Sequence, residues 1–182
     1  ERAEMKVLID LTSLADNFSG IERFALSITK ELISDQSRND IEYILVFKNE
    51  VHKDFSAKQN NVKKIIVRGK NKLIFNQLQL PLKLATIKAD YYFFPAFPAP
   101  FFYFNRNAIS AIHDVGCWDC PSKNKRYMTL YFKLMYRKVA FGHKKVVTVS
   151  KFSKDRISKI LKKNPDEIAV IYDGLSDCFA NF

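Results

Sequence analysis

Two groups of residues that directly follow predicted β-strands have side chains or backbone suited to ligand chemistry. Ser19, Gly20 and Ile21 end the polar loop after the first strand and open a helix, and glycine lets a ligand approach the backbone closely. Free N–H groups at a helix start bind anions, so this group is a candidate diphosphate site. His113 and Asp114 follow the fifth strand, where a histidine can handle a proton or contact a ligand.

A third group follows the sixth strand, where Ser150 stands before a predicted helix whose first turn contains Lys151 and Ser153. These residues are expected to line the same crevice, because ligands of open parallel sheets bind beyond the carboxyl ends of the strands. Each group also has a purely structural interpretation. Any loop between a strand and a helix resembles the first group, and helix capping alone accounts for Ser150.

The His-Asp pair has a structural interpretation as well. His113 can be an ordinary histidine at the end of a strand. Neighbouring residues on an extended segment point in opposite directions, so His113 and Asp114 are not expected to form a hydrogen-bonded dyad. Both stay tentative catalytic candidates, with His113 as the residue that faces the crevice.

The cysteine content argues against a metal site and against redox chemistry. Cys117 and Cys120 have CxxC spacing, but neither a second such pair nor a paired histidine follows to complete a zinc site. With Cys178 the number of cysteines is odd, so reduced thiols are expected. The chain also lacks a phosphate-binding Walker loop, a G-x-S-x-G elbow and a zinc-protease motif. We therefore predict no bound metal and no bound cofactor.

Short apolar runs that alternate with longer stretches of helical periodicity predict one α/β domain: a Rossmann-like three-layer sandwich around a mostly parallel sheet. The predicted strands lie near 5–10, 41–47, 62–67, 90–94, 108–112, 145–149 and 168–172. The predicted helices lie near 20–34, 72–87, 123–141 and 151–163. This order places all three candidate groups at one edge of the sheet.

The formal charge of +11 is concentrated in one segment. Residues 123–163 contain 14 Lys or Arg and one acidic residue, which leaves 16 basic and 18 acidic residues for the rest of the chain. Both helices of the segment are predicted to turn basic side chains away from the core; these are Arg126, Lys133 and Arg137 in the first, and Lys154, Lys159, Lys162 and Lys163 in the second. Such a field attracts an anionic membrane, a nucleic acid or a phosphorylated ligand, and it also serves solubility.

An aromatic run covers residues 91–104 and contains nine aromatic residues. Its first four residues can form a buried strand, but the three prolines that follow require a loop. Phe97, Phe101 and Phe102 belong to that loop. One interpretation folds the loop onto the domain, and the other makes it an apolar lip that meets lipid, an acceptor or a partner domain.

Taken together, the three groups resemble the N-terminal domain of family 4 glycosyltransferases of the GT-B fold. The family's Gly-Ile-Gly-Arg-Tyr motif is similar to residues 20–24, its strand with a His-Asp pair to residues 111–114, and its Thr-Val-Ser-x-Phe-Ser segment to residues 148–153. Residues 76–81 and 164–174 resemble the helix before the fourth strand and the final strand with its turn. Two departures are notable: Glu22 replaces the second glycine of the first motif, and Tyr172 and Asp173 stand where Pro and Asn are usual.

The resemblance implies transfer of a sugar from a nucleoside-diphosphate-sugar donor to a glycan or lipid-linked acceptor, without a bound metal. It places Ser19, Gly20 and Ile21 near the donor diphosphate and His113 toward the transferred sugar. We expect residues 1–4 to be left from cloning, residues 5–175 to form the acceptor-side domain, and residues 176–182 to start a linker to a second domain that lies beyond the chain. This domain alone would then be inactive.

The sequence has no long apolar run and no apolar leader, which favours a cytoplasmic location, with attachment at the inner face of the membrane through the basic helices and the aromatic loop. Three other functions stay open. A degenerate, non-catalytic subunit is favoured by Glu22, a nucleic-acid-binding module by the charge, and a dinucleotide enzyme by the order of elements. The chain has no base-reading signature, which argues against a nucleic-acid-binding module, and no G-x-G-x-x-G motif, which argues against a dinucleotide enzyme. We therefore expect no nucleic-acid partner.

Overall fold

The computed structural model describes residues 5–14, 19–35, 37, 40–71, 74–121, 125–172 and 174. Seven strands form one parallel sheet: β1 Met5–Asp10, β2 Ile41–Lys48, β3 Val62–Val67, β4 Tyr91–Phe94, β5 Ala108–Ala111, β6 Lys145–Thr148 and β7 Ile168–Val170. The α-helices are α1 Gly20–Ser34, α2 Leu80–Thr86, α3 Gly116–Asp119, α4 Arg126–Gly142 and α5 Lys151–Leu161. The predicted α/β sandwich with a parallel sheet is confirmed.

The sheet has a core on each face because successive side chains of a strand point to opposite sides. On one face, Ile9 and Leu45 pack with Phe24 of α1. On the other, Leu8 and Val46 pack with Leu84 of α2. Toward β7 that second face is covered by α4 and α5, through Val139, Ile157 and Leu161 around Val146 and Ile168.

The predicted helix over 72–87 differs from the structure at its start. A π-helix, Phe75–Gln79, leads into α2, and the N–H of Leu80 donates to the carbonyl of Phe75. Pro81 in the first turn of α2 has no N–H to donate, which favours a widened turn before it. Gly69 is needed at this contact, since a Cβ there would lie 2.5 Å from Cδ2 of the fully buried Phe75 ring.

Two lysines predicted to point outward do not do so. Lys163 is only 7% exposed, and its Nζ donates to the carbonyl of Ala140 at 2.7 Å and to Glu167 at 2.9 Å. Lys162 ends α5 in the left-handed conformation, with φ 53°, so the chain reverses and carries Lys163 back toward α4. Lys133 lies with Nζ 5.7 Å from the ring centre of Trp118, so its stem covers an aromatic side chain.

Some predictions fall on residues outside the described ranges. They concern the cloning remnant 1–4, residues 15–18 of the first loop, Lys123, Asp173, Cys178 and the linker 176–182.

Candidate functional site

The order of strands across the sheet defines the candidate crevice. The order is β3-β2-β1-β4-β5-β6-β7, so the chain builds outward from β1 in one direction and then returns to continue from β4 in the other. The connections that leave β1 and β4 therefore diverge, and such a switch point is where open α/β sheets bind ligands. Every pair of neighbouring strands is parallel, which puts the loops after β1, β5 and β6 at one edge.

The start of α1 lies beside this switch point. Ser19 precedes the helix, and its N–H donates to the carboxylate of Glu22 at 2.8 Å. Gly20 is exposed, and apart from its chain neighbours and the backbone of its own helix, no atom of the described residues lies within 4 Å of the position that a Cβ would take. The first turn of a helix leaves N–H groups without intrahelical partners. Gly20 and Ile21 thus offer open backbone to a ligand, whereas the N–H of Ser19 is already bonded to Glu22.

His113 joins three connections of the carboxyl edge. Its ring meets that of Phe24 in α1 edge to face, with centres 5.1 Å apart. Its Nε2 lies 2.9 Å from the carbonyl oxygen of Pro95, which follows β4. Because a carbonyl only accepts hydrogen bonds, Nε2 carries the proton in the neutral ring and Nδ1 is left as an acceptor. The first and second candidate groups are therefore linked through the Phe24–His113 contact.

Asp114 has a hydrogen-bond partner of its own within the protein. Its Oδ1 accepts a hydrogen bond from the N–H of Gly116 at 2.7 Å, at the start of the short helix α3, and the residue is exposed. The two side chains have different partners, and no described hydrogen bond joins His113 to Asp114, as the sequence predicts. The bond from Gly116 accounts for the carboxylate without any ligand.

Ser150 caps α5, as its sequence position predicts. Its Oγ accepts from the N–H of Ser153 at 3.0 Å, and the two hydroxyl oxygens are also 3.0 Å apart. Lys151 is exposed at the first position of the helix. This third group lies at the carboxyl end of β6, two strands beyond β4, with no described contact to His113.

Asp10 is a polar residue of this edge that the sequence reasoning missed. It is the last residue of β1, next to the switch point, and its Oδ1 accepts from the N–H of Thr12 at 3.0 Å. Burial raises the pKa of its carboxyl group, and the hydrogen bond from Thr12 offsets part of that effect. An acidic residue that ends an otherwise apolar first strand was the available signal.

The aromatic loop after β4 folds onto the domain but keeps three exposed rings. Tyr103 is buried against Tyr92 and Phe94, whereas Phe97, Phe102 and Phe104 are exposed and Phe101 is half-buried. Lys138 of α4 holds the loop: its Nζ donates to the carbonyls of Pro100 and Tyr103 and lies 4.8 Å from the ring centre of Phe104. Part of the loop thus folds onto the domain, and part of it presents exposed apolar side chains, as each of the two interpretations predicted.

The outer surface of α4 is more apolar than predicted. Arg126 and Arg137 are exposed, as expected. A row of large apolar side chains at helical spacing is exposed with them: Tyr127, Leu130, Leu134 and Phe141. The sequence reasoning named only basic side chains for this outer face, so it missed the apolar row.

The two cysteines in the described ranges do not form a reactive pair. Both are free; Cys117 is buried and Cys120 is exposed, and burial raises the pKa of the Cys117 thiol to about 11. Among the described residues, no three His, Cys, Asp or Glu side chains gather closely enough to hold a metal ion. No helix in that part of the chain is long and apolar enough to cross a bilayer.

Comparison with known proteins shows a likeness in fold. No protein-family profile matches the chain, and no curated protein matches it significantly by sequence. Among solved structures, the chain is similar to Anabaena HepE, crystallised in complex with UDP-glucose, with a TM-score of 0.57 and 12% identity. The match covers 95% of this chain and 45% of HepE, so the chain spans less than half the length of that protein. At this identity, what the two chains share is the fold.

Proposed function

We propose that this chain is the N-terminal, acceptor-side domain of a glycosyltransferase of family 4 and the GT-B fold. The complete enzyme moves a hexose from a nucleoside-diphosphate-sugar donor to a glycan or lipid-linked acceptor in polysaccharide biosynthesis. The observation that carries the proposal is the contact of His113 with both Phe24 and Pro95, which brings three connections together at the switch point. Similarity in fold to a protein crystallised with UDP-glucose supports it.

In this function the start of α1 receives the donor diphosphate. The open backbone at Gly20 and Ile21 allows close approach, and helix N-termini favour negative charge. The Nδ1 of His113 accepts a hydrogen bond from a hydroxyl of the transferred sugar. Lys151 adds a positive charge farther along the same edge. The carboxylate of Asp114 is already bonded to the N–H of Gly116, so we assign it no role in proton transfer.

Catalysis requires a second protein surface that closes the donor site, and this domain does not provide one. The donor site described above is an open edge, and hydrogen bonds to a sugar nucleotide gain strength only when water is excluded. We propose that a further domain closes over this edge in the natural protein, and that the isolated domain binds donor weakly without turnover. The chain's coverage of less than half of HepE fits a two-domain arrangement.

The acceptor side is the surface formed by the aromatic loop and the outer row of α4. Phe97, Phe102 and Leu134 are exposed there, with Arg126 and Arg137 on the same helix as Leu134. Apolar side chains flanked by basic ones suit an anionic bilayer at the inner face of the membrane, where each basic residue near the surface contributes about 1 kcal/mol. We propose that this surface holds the enzyme near a lipid-linked acceptor. Lys133 contributes little, because it lies over Trp118.

One observation favours a second candidate, a degenerate subunit that binds without turnover. The carboxylate of Glu22 stands in the first turn of α1 and takes the N–H of Ser19. A negative charge there opposes a diphosphate. Turnover by the complete natural protein would separate the two candidates, since only the transferase releases nucleotide in an acceptor-dependent way.

The direct test is a titration of the isolated domain with UDP-glucose, in which NMR spectra record the amide and imidazole chemical shifts. We expect saturable shifts at Gly20, Ile21 and His113, with a dissociation constant in the millimolar range. Saturable shifts confined to other parts of the chain, or none up to 20 mM ligand, would contradict the proposal. The membrane surface is tested separately by sedimentation with anionic vesicles, where Leu134→Ser should reduce binding and Lys58→Gln should not.

A further inference from the structure

A large cavity in the described part of the molecule lies at the opposite edge of the sheet from the crevice. It is a groove of about 1050 Å³. Its walls come from the segments that enter β5, β6 and β7, together with the end of α4. Because these segments precede their strands, the groove lies at the amino edge, away from Gly20 and His113. The proposed donor site makes no use of it.

The groove has a strongly positive lining. Five cationic side chains line it against a single acid, Glu167; they are Arg106, Lys138, Lys144, Lys162 and Lys163. Glu167 is itself bonded to Lys163 at 2.9 Å, so its charge is already matched. Arg106 and Lys162 are exposed. The remaining field attracts an anion.

His143 adds a buried hydrogen-bonding group to this lining. It is 5% exposed, and its Nδ1 lies 3.0 Å from Oγ of Ser110. That oxygen also accepts from the N–H of Ala99. Within the described residues, Nε2 of His143 is buried and has no hydrogen-bond partner. A buried polar atom without a partner is uncommon in folded proteins, so we expect a ligand bound in the groove beside His143 to change the surroundings of this ring.

Two exposed aromatic rings flank the charges. Phe104 is 75% exposed and Phe141 is 74% exposed, and both line the groove. Lys138 lies under Phe104 and fixes its position through the loop carbonyls. A ligand with a planar or apolar body would cover these rings while its anionic group met the lysines and Arg106.

We propose that the groove at the amino edge is a second binding site, which takes a phosphate ester carried on a planar or apolar body. The phosphate contacts Arg106 and Lys162 at the mouth, and the body packs against Phe104 and Phe141. The lined volume suits a small molecule. The site shares no residue with the donor crevice, whereas Phe104 and Phe141 also belong to the aromatic loop and the outer row of α4.

The test uses phenyl phosphate as the probe, with inorganic phosphate for the anion alone and phenol for the ring alone. Amide shifts and the Nε2 resonance of His143 are followed in NMR titrations of the isolated domain. We expect saturable shifts at Arg106, Phe141 and His143, with phenyl phosphate bound at least fivefold more tightly than either half. Equal affinity for phenyl phosphate and inorganic phosphate would overturn the role of the rings. Absence of saturation would overturn the site.

A charge-matched pair of double variants separates the groove from general attraction. R106Q/K162G removes two groove cations, and glycine is favoured at the left-handed φ of Lys162, so the fold is retained. K58Q/K88Q removes two exposed lysines outside the groove. We expect binding of phenyl phosphate to weaken about tenfold in the first variant and less than twofold in the second, as two exposed ion pairs suggest. The same loss in both would refute the site.

A bilayer can present the same phosphate ester as a lipid headgroup. Sedimentation with vesicles of phosphatidic acid and phosphatidylcholine, with phenyl phosphate as competitor, distinguishes the sources. Competition that depends on Arg106 and Lys162 assigns the groove to the headgroup. Vesicle binding that phenyl phosphate leaves unchanged, together with saturable binding of the free ester, assigns it to a soluble ligand.

Discussion

Replacing Gly20 with alanine separates ligand binding from folding, because the added Cβ meets no described residue within 4 Å beyond its chain neighbours and the backbone of its own helix. Gly20 is the first residue of α1 and has no positive φ, so alanine fits the backbone. We expect unfolding free energy to stay equal or to rise by up to about 1 kcal/mol, since glycine costs about that much in a helix. For a chain of this size the midpoint of thermal unfolding should then rise by roughly 0–4 °C.

The same methyl group stands where the diphosphate is proposed to approach. If it displaces one charge-assisted hydrogen bond of about 1.5–3 kcal/mol, affinity for UDP-glucose falls roughly tenfold to hundredfold. Calorimetric or NMR titration against thermal unfolding measures both effects. Ser27→Ala is the matched control, because Ser27 is exposed farther along the same helix, where alanine also raises helix propensity, and it belongs to neither proposed site. Unchanged affinity in a stable Gly20→Ala protein would refute the diphosphate assignment.

Three further outcomes are expected. Substituting His113 with Ala should weaken UDP-glucose binding about tenfold and cost about 1–2 kcal/mol of stability, because the contact with Phe24 and the bond to Pro95 are lost; a loss of stability with unchanged affinity would leave His113 a purely structural residue. Lys163→Ala should cost about 2–3 kcal/mol in urea unfolding, since the buried carbonyl of Ala140 loses its donor, whereas Lys162→Gly should cost nothing. Burial lowers the pKa of His143 to about 4, so between pH 6.5 and 4 the unfolded chain takes up a proton that the folded chain refuses, and stability falls as pH falls through this window; His143→Phe should flatten that part of the profile, and an unchanged slope would contradict the assignment.

The sheet was predictable because its information is local. Each strand is a short apolar run bounded by polar residues, and α1 was predicted with the bounds that the structure has. The cap at Ser150 followed from sequence position alone for the same reason. The positions of Gly20 and His113 at one edge then follow from parallel strand order.

What the sequence did not reveal depends on contacts between distant residues. The burial of Lys163 results from the left-handed turn at Lys162 and from a carbonyl on another helix, and neither has a local signal in a run of lysines. The groove at the amino edge is assembled from segments 103–107, 138–144 and 162–167. The binding role of the crevice residues remains a prediction, because position at a strand end does not distinguish a ligand contact from a cap.

The connection from β4 to β5 replaces a crossover helix with a proline-rich segment, and this has a consequence for how the domain can be cut or engineered. Six of the ten residues 95–104 are buried, and Lys138 clamps two of their carbonyls. A stretch without regular structure is usually the first target of a protease and a convenient place for an inserted tag. Most of this segment is buried, so we expect a protease to cleave it slowly in the native state. An insertion should disrupt the packing between α2 and α4.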